Sequence, residues 1–162
     1  MLGEISGKGT TGRDDAYAAA YFEGVGTEII GVGMFGLHAF PDDPSWTSWW
    51  GDEPPFRVPV FVLTHALRPV VTMASGTSFE FLSVRPAEAL ERARAAAGGR
   101  DVCIGGGTSV VRDFLRAGLV DHLHVAITPI ALGRGARLWD DLGCSRATSP
   151  SPARRPRAAP ST

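Results

Sequence analysis

The stretch DVCIGGGTSVVRDFLRA, residues 101–117, decides how this chain folds. It opens on Asp101 and the short apolar run Val102-Cys103-Ile104, which has the length and composition of a buried strand. It closes on residues 108–117, where Val110, Val111, Phe114 and Leu115 share one face of a helix that Gly118 stops. Between strand and helix stand Gly105, Gly106 and Gly107, followed by Thr108 and Ser109. Residues without side chains let a backbone approach a ligand closely, and the free N–H groups that open the next helix favour a phosphate. The run is neither GxGxxG nor a Walker A loop, since no lysine follows the glycines and Arg112 falls on the helix. On these residues alone a tight turn without a ligand stays open. Position supports binding, because open α/β sheets take ligands outside the carboxyl ends of their strands.

Working outward, the same alternation repeats. Residues 86–97 read as the clearest helix: Pro86 in the first turn, an alanine-rich interior, Glu88 four residues before Arg92, then Gly98-Gly99. Residues 58–63 form a β-branched and aromatic run suited to a strand buried on both faces, and residues 77–82 alternate like a strand nearer an edge. Residues 27–30 read as a strand running into Gly31-Val32-Gly33-Met34-Phe35, and residues 119–130 as a strong last strand before a turn at residues 132–135. Asp14 and Asp15 precede a short helix over residues 16–22, where the helix dipole favours acids. Strands alternating with helices predict an α/β domain.

The 162 residues suit one domain, expected over residues 1–143. Residues 144–162, with four prolines and no Leu, Ile, Val or aromatic residue, cannot build a core and are expected to be a disordered Arg/Pro/Ser tail. That tail carries four arginines and no acid, so the rest of the chain holds 12 basic against 17 acidic residues. An acidic body argues against nucleic acid as a partner, because phosphate contacts need a positive face. No apolar run reaches membrane-spanning length, and the first residues lack a secretory layout, so a cytoplasmic placement is the default. Cys103 is expected to act as a small buried hydrophobe and Cys144 as an exposed thiol, with no disulfide framework.

Three other groups of residues could carry chemistry. Thr64 and His65 end the strand at 58–63, where a hydroxyl and an imidazole could meet a phosphate or simply cap the strand. His122 and His124 share a strand face at two-ligand spacing, but no third ligand is near, so they are expected to fill a polar face and no metal is expected. Trp46, Trp49 and Trp50 stand beside Asp52 and Glu53; burying the indoles would pin a long loop, and the alternative is a lid that stacks on a planar substrate.

The order GVGMFG, PVFVLTH, GTSFEF and IGGGTSVVRDFLRAGLVDHLHVAITPIALGRGARL resembles the C-terminal reductase domain of riboflavin-biosynthesis deaminase–reductases. More narrowly it resembles the stand-alone bacterial dihydrofolate-reductase-family proteins. The resemblance implies a three-layer dihydrofolate-reductase-like fold, a mixed and mostly parallel sheet with helices on both faces. It implies NADPH, with pyrophosphate or nicotinamide at Gly105, Gly106, Gly107 and Thr108 and the adenosine end at Thr64 and His65. Gly31, Gly33 and Met34 match a glycine–arginine turn over the cofactor, but Val32 stands where relatives carry arginine, which removes a cation suited to phosphate.

The resemblance also implies an opening strand with an aspartate–glycine turn and a closing apolar hairpin. Residues 3–15 match the loop that follows such a strand, and the hairpin's place is taken by the tail, so the chain is expected to be truncated at both ends. The abrupt change after Leu142 is what a frameshift in GC-rich coding would produce. The implied function is hydride transfer from NADPH to a C=N or C=O bond of a heterocyclic small molecule, of the 5-amino-6-(5-phosphoribosylamino)uracil reductase type, in a chain that admits a homodimer. The rival is a non-catalytic remnant that keeps a nucleotide site; dihydrofolate reduction itself ranks third. No catalytic residue is assigned.

Overall fold

The computed structural model describes residues 21–37, 43–125, 127, 130–131, 133–140 and 142. The expected helix over 16–22 falls outside them except for its last two residues, which form a turn, and so does the expected tail from residue 144. Strand β1 runs over Val25–Gly31 and is followed at once by a single helical turn, α1, over Val32–Phe35. Strands β2 (Pro59–Leu63), β3 (Val71–Thr72) and β4 (Ser78–Leu82) come next, then helix α2 over Pro86–Ala97. Strand β5 (Asp101–Gly106) and helix α3 (Thr108–Arg116) complete the series.

The strands form one sheet in the order β3-β4-β2-β1-β5. The pairs β4–β2, β2–β1 and β1–β5 are parallel, and only the two-residue β3 is antiparallel. This mixed, mostly parallel sheet with helices is the expected α/β fold of the dihydrofolate-reductase-like kind. Alternation along each strand sends side chains to two cores. On one face Ile30, Val60, Val62, Phe79 and Phe81 meet Phe35, Leu37, Phe56 and Met73, with Trp46 and Trp50 packed against them. On the other, Ile29, Phe61 and Leu82 meet Ala89, Leu90 and Ala93 of α2 and Val110 and Phe114 of α3. The small alanines let α2 lie close to the sheet, where Thr27 Oγ1 donates to the Ala93 carbonyl at 3.2 Å.

The structure departs from the sequence expectation in three places. Residues 32–35, read as a glycine-punctuated strand end or a plain turn, form the helical turn α1: Gly36 closes it at φ 98°, and buried Phe35 is anchored 5.1 Å from both Phe79 and Phe81. The edge strand β3 was not expected, being too short to leave a pattern. Residues 119–130, expected to be a strong strand, form none among the described residues, and Leu123, Val125, Ile127 and Ile130 are exposed, Ile127 by 89%. An alternating pattern supplies strand-like side chains but not a ladder, and a strand unpaired in water has nothing to hold it.

Candidate functional site

Four parallel strands end on the same side of the sheet, and a cleft of about 950 Å3 opens outside those ends. Its walls come from the connections that follow β1, β2, β4 and β5. Six of the nine residues singled out from the sequence line it together: Gly31, Gly33 and Met34 after β1, Thr64 and His65 after β2, and Gly107 before α3. Segments 75 residues apart in the chain thus meet at one site because parallel strands put every carboxyl end on one edge.

Gly105, Gly106 and Thr108 do not line the cleft. The register explains the first two. Ile29 pairs with Ile104 but Ile30 pairs with Gly106, so Gly105 is the extra residue of a β-bulge. Gly106 has φ 142° and Gly107 φ 66°, a region that side chains other than glycine's enter at a cost. The bulge and these two backbone angles turn the chain from β5 into α3. Gly107 is the helix N-cap and offers no side-chain cap, so the first backbone donors of α3 stay available beside cleft-lining Ser109.

Sequence reasoning missed the connection from β4 to α2. Ser83, Val84, Arg85, Pro86 and Glu88 all line the cleft. The signal was present, since residues 83–85 link a strand to a helix just as residues 105–107 do, but without glycines they drew no attention. From α3, Ser109, Val110 and Asp113 contribute as well. Both acids of the cleft have cations of their own helix: Glu88 pairs with Arg92 at 2.8 Å and Asp113 with Arg116 at 3.4 Å.

The tryptophan cluster serves the fold. Trp46 Nε1 donates to the Phe35 carbonyl at 2.9 Å, Trp46 meets Trp49 edge-on at 5.0 Å, and Trp50 meets Phe56 edge-on at 4.8 Å. None of the three indoles lines the cleft. His122 and His124 lie in the exposed segment without a strand, and among the described residues no group of three or more ligating side chains converges.

The strongly perturbed titratable groups also lie away from the cleft. Glu28, near the middle of β1, is buried, and among the described residues no group meets either carboxylate oxygen in good hydrogen-bond geometry. Burial pushes its pKa up to about 7 from 4.5, with nearby Tyr21 opposing the shift. The Tyr21 hydroxyl lies 2.9 Å from Cys103 Sγ and also interacts with the Glu28 carboxylate. Burial raises the Tyr21 phenol, and it raises the Cys103 thiol to about 11. Cys103 is therefore a half-buried, hydrogen-bonded thiol and not the plain hydrophobe expected.

Comparison with known proteins follows this geometry. A family model described as the RibD C-terminal domain matches residues 3–153. Two curated relatives, each a "Riboflavin biosynthesis protein RibD" of Mycobacterium tuberculosis, from strains CDC 1551 / Oshkosh and ATCC 25618 / H37Rv, are 28% identical over 142 residues. The match covers 85% of this chain and 38% of each relative's length.

Proposed function

The chain belongs to the RibD C-terminal domain family, and from that premise we propose that it is an NADPH-binding reductase of the flavin-pathway type. The observation that carries the reading is the cleft at the carboxyl ends of β1, β2, β4 and β5, where six residues chosen for cofactor contact come together. Its volume, about 950 Å3, suits an extended dinucleotide and part of a second small molecule. Gly107 and the uncapped start of α3 suit a phosphate, Leu63, Leu82 and Val84 suit the flat faces of a base, and His65, Ser83 and Arg85 supply polar contacts. NADPH, when bound, supplies a hydride. The chain's own residues hold and orient it against a heterocyclic or sugar-derived small molecule that carries the C=N or C=O bond to be reduced.

A second reading, nucleotide binding without turnover, is favoured by one observation. Both acids of the cleft, Glu88 and Asp113, are paired with arginines of their own helices and so are drawn away from a bound substrate. Titration of the full chain with NADPH, followed by measurement of NADPH oxidation with 5-amino-6-(5-phosphoribosylamino)uracil as the hydride acceptor, separates the two. Binding with turnover supports the reductase, binding without turnover supports the second reading, and no binding removes both.

A further inference from the structure

We propose that Arg85 is the cofactor-selecting cation of this chain, the group that would bind the 2′-phosphate of NADPH and so exclude NADH. The inference rests on the NADPH reading above and assigns a role to a residue outside the turns from which that reading started. Where a glycine–arginine turn would put a cation on a phosphate, this chain has Val32, and Val32 lines the cleft. A 2′-phosphate carries close to two negative charges, and a site that prefers it over a ribose hydroxyl needs a partner of opposite sign.

The described cations can be taken in turn. Arg92 and Arg116 are committed to Glu88 and Asp113. Arg68 donates to the carbonyls of Asp43 and Trp46, 3.3 Å in the second case, and lies over the Phe81 ring. Arg100 donates to the carbonyls of Ala97 and Val25 at the other end of the sheet. Arg57, Arg94, Arg112, Arg134 and Arg137 do not line the cleft. Arg85 does, it is exposed, and it forms no ion pair among the described residues.

Its neighbours fit the same ligand. Strands β2 and β4 are paired in parallel up to Leu63 and Leu82, and Thr64 N–H donates to the Leu82 carbonyl at 2.9 Å. Thr64-His65 and Ser83 follow these neighbouring strand ends, and His65, Ser83 and Arg85 all line the cleft. The Thr64 hydroxyl is spent on its own turn, accepting from the Ala66 N–H at 3.1 Å. Arg85 itself is fixed as the N-cap of α2, its carbonyl accepting from the Ala89 N–H at 3.0 Å and Pro86 holding the next φ. The guanidinium of Arg85, the imidazole of His65 and the hydroxyl of Ser83, all lining one cleft, offer the donors that a phosphate monoester takes.

The test is binding, measured by calorimetry on the full chain with NADPH, NADH and 2′,5′-ADP as probes. Arg85 makes no side-chain cap bond, so Arg85→Ala leaves the fold standing, which circular dichroism checks. The expected result is a loss of tenfold or more in affinity for NADPH and for 2′,5′-ADP, with NADH unchanged within twofold. Arg85→Lys should recover part of the loss, and Arg94→Ala, on an exposed position of α2, should change nothing. An Arg85→Ala chain that keeps its NADPH preference overturns the inference and leaves the NADPH reading intact. Equal losses for NADPH and NADH overturn it too, since they mark a structural role. If the parent chain binds none of the three, both fall together.

Discussion

The carboxylate of Glu28 occupies the space that a side chain at residue 105 would need. A Cβ built on Gly105 would overlap Glu28 Oε1 and stand 2.8 Å from Glu28 Cδ. One glycine of the triplet that first drew attention as a ligand turn is thus matched to a buried acid on the neighbouring strand. The pair sits where β1 and β5 slip register, and the bulged residue has to be the one without a side chain.

A double-mutant cycle tests that relationship. Gly105→Ala forces the carboxylate aside and should lower stability by about 1–3 kcal/mol, the usual cost of overpacking. In a Glu28→Ala background the same change should cost less than about 0.5 kcal/mol, because the clashing atoms are gone. Urea unfolding of the four chains gives the coupling directly. Equal costs in both backgrounds would mean that the two residues do not contend for one space.

The same carboxylate makes stability fall with rising pH. Burial moves the folded pKa up to about 7 from an ordinary 4.5, so between those values the folded chain holds a proton that the unfolded chain has released. The native state then binds more protons, and stability declines across pH 4.5–7, the full penalty being reached above 7. A shift from 4.5 to about 7 corresponds to a penalty on the order of 3 kcal/mol. Glu28→Gln keeps the shape and removes the titration, so it should flatten the pH dependence and raise the midpoint of thermal unfolding at pH 8. A parent chain as stable at pH 8 as at pH 5 would contradict this account.

Much of the fold was legible because patterned segments carry their own instructions. Helix α2 was read at its observed bounds, since Pro86 marks its start and Gly98 its end while alanines fill the interior. The cleft was half legible. Gly31, Gly33, Met34, Thr64, His65 and Gly107 were found because glycines and polar residues at strand ends are visible in a linear string. Ser83 and Arg85 were not, because their part depends on β4 lying beside β2. Glu28 was invisible for the same reason: in the run Thr27-Glu28-Ile29-Ile30 it reads as an ordinary polar strand residue, and only the packed sheet shows that it is buried.

Replacing Gly106 cannot test cofactor binding cleanly. Its φ of 142° and a Met34 Sδ only 3.2 Å from an added Cβ mean that Gly106→Val would strain the turn as well as the site. Ser109→Asp is the better probe. Ser109 lines the cleft in the first turn of α3, where a carboxylate is favourable to the helix by about 0.3–1 kcal/mol. The same charge repels a phosphate seated there. NADPH affinity should drop tenfold or more while the unfolding midpoint holds or rises, a split that fluorescence titration and calorimetry would read together. A Ser109→Asp chain with unaltered affinity would move the phosphates away from this turn.

The last prediction concerns the edge of the sheet. Strand β5 pairs with β1 on one side and, among the described residues, with no strand on the other. Its residues from Val102 to Gly106 are half-exposed, so water reaches them and their outward backbone groups are not stranded in a dry interior. The consequence falls on association: an open, apolar edge with no charge beyond Asp101 is a template for another strand. Among the described residues Leu123, Val125, Ile127 and Ile130 are exposed apolar side chains in a segment that forms no strand. We expect the chain to self-associate as its concentration rises and to be a poor reductase in that state. Replacing Ile127 and Ile130 by lysine should shift sedimentation toward monomer, because charge on an unpaired strand opposes edge-to-edge pairing without touching either core. A parent chain that stays monomeric at every concentration would show that this edge is covered in solution.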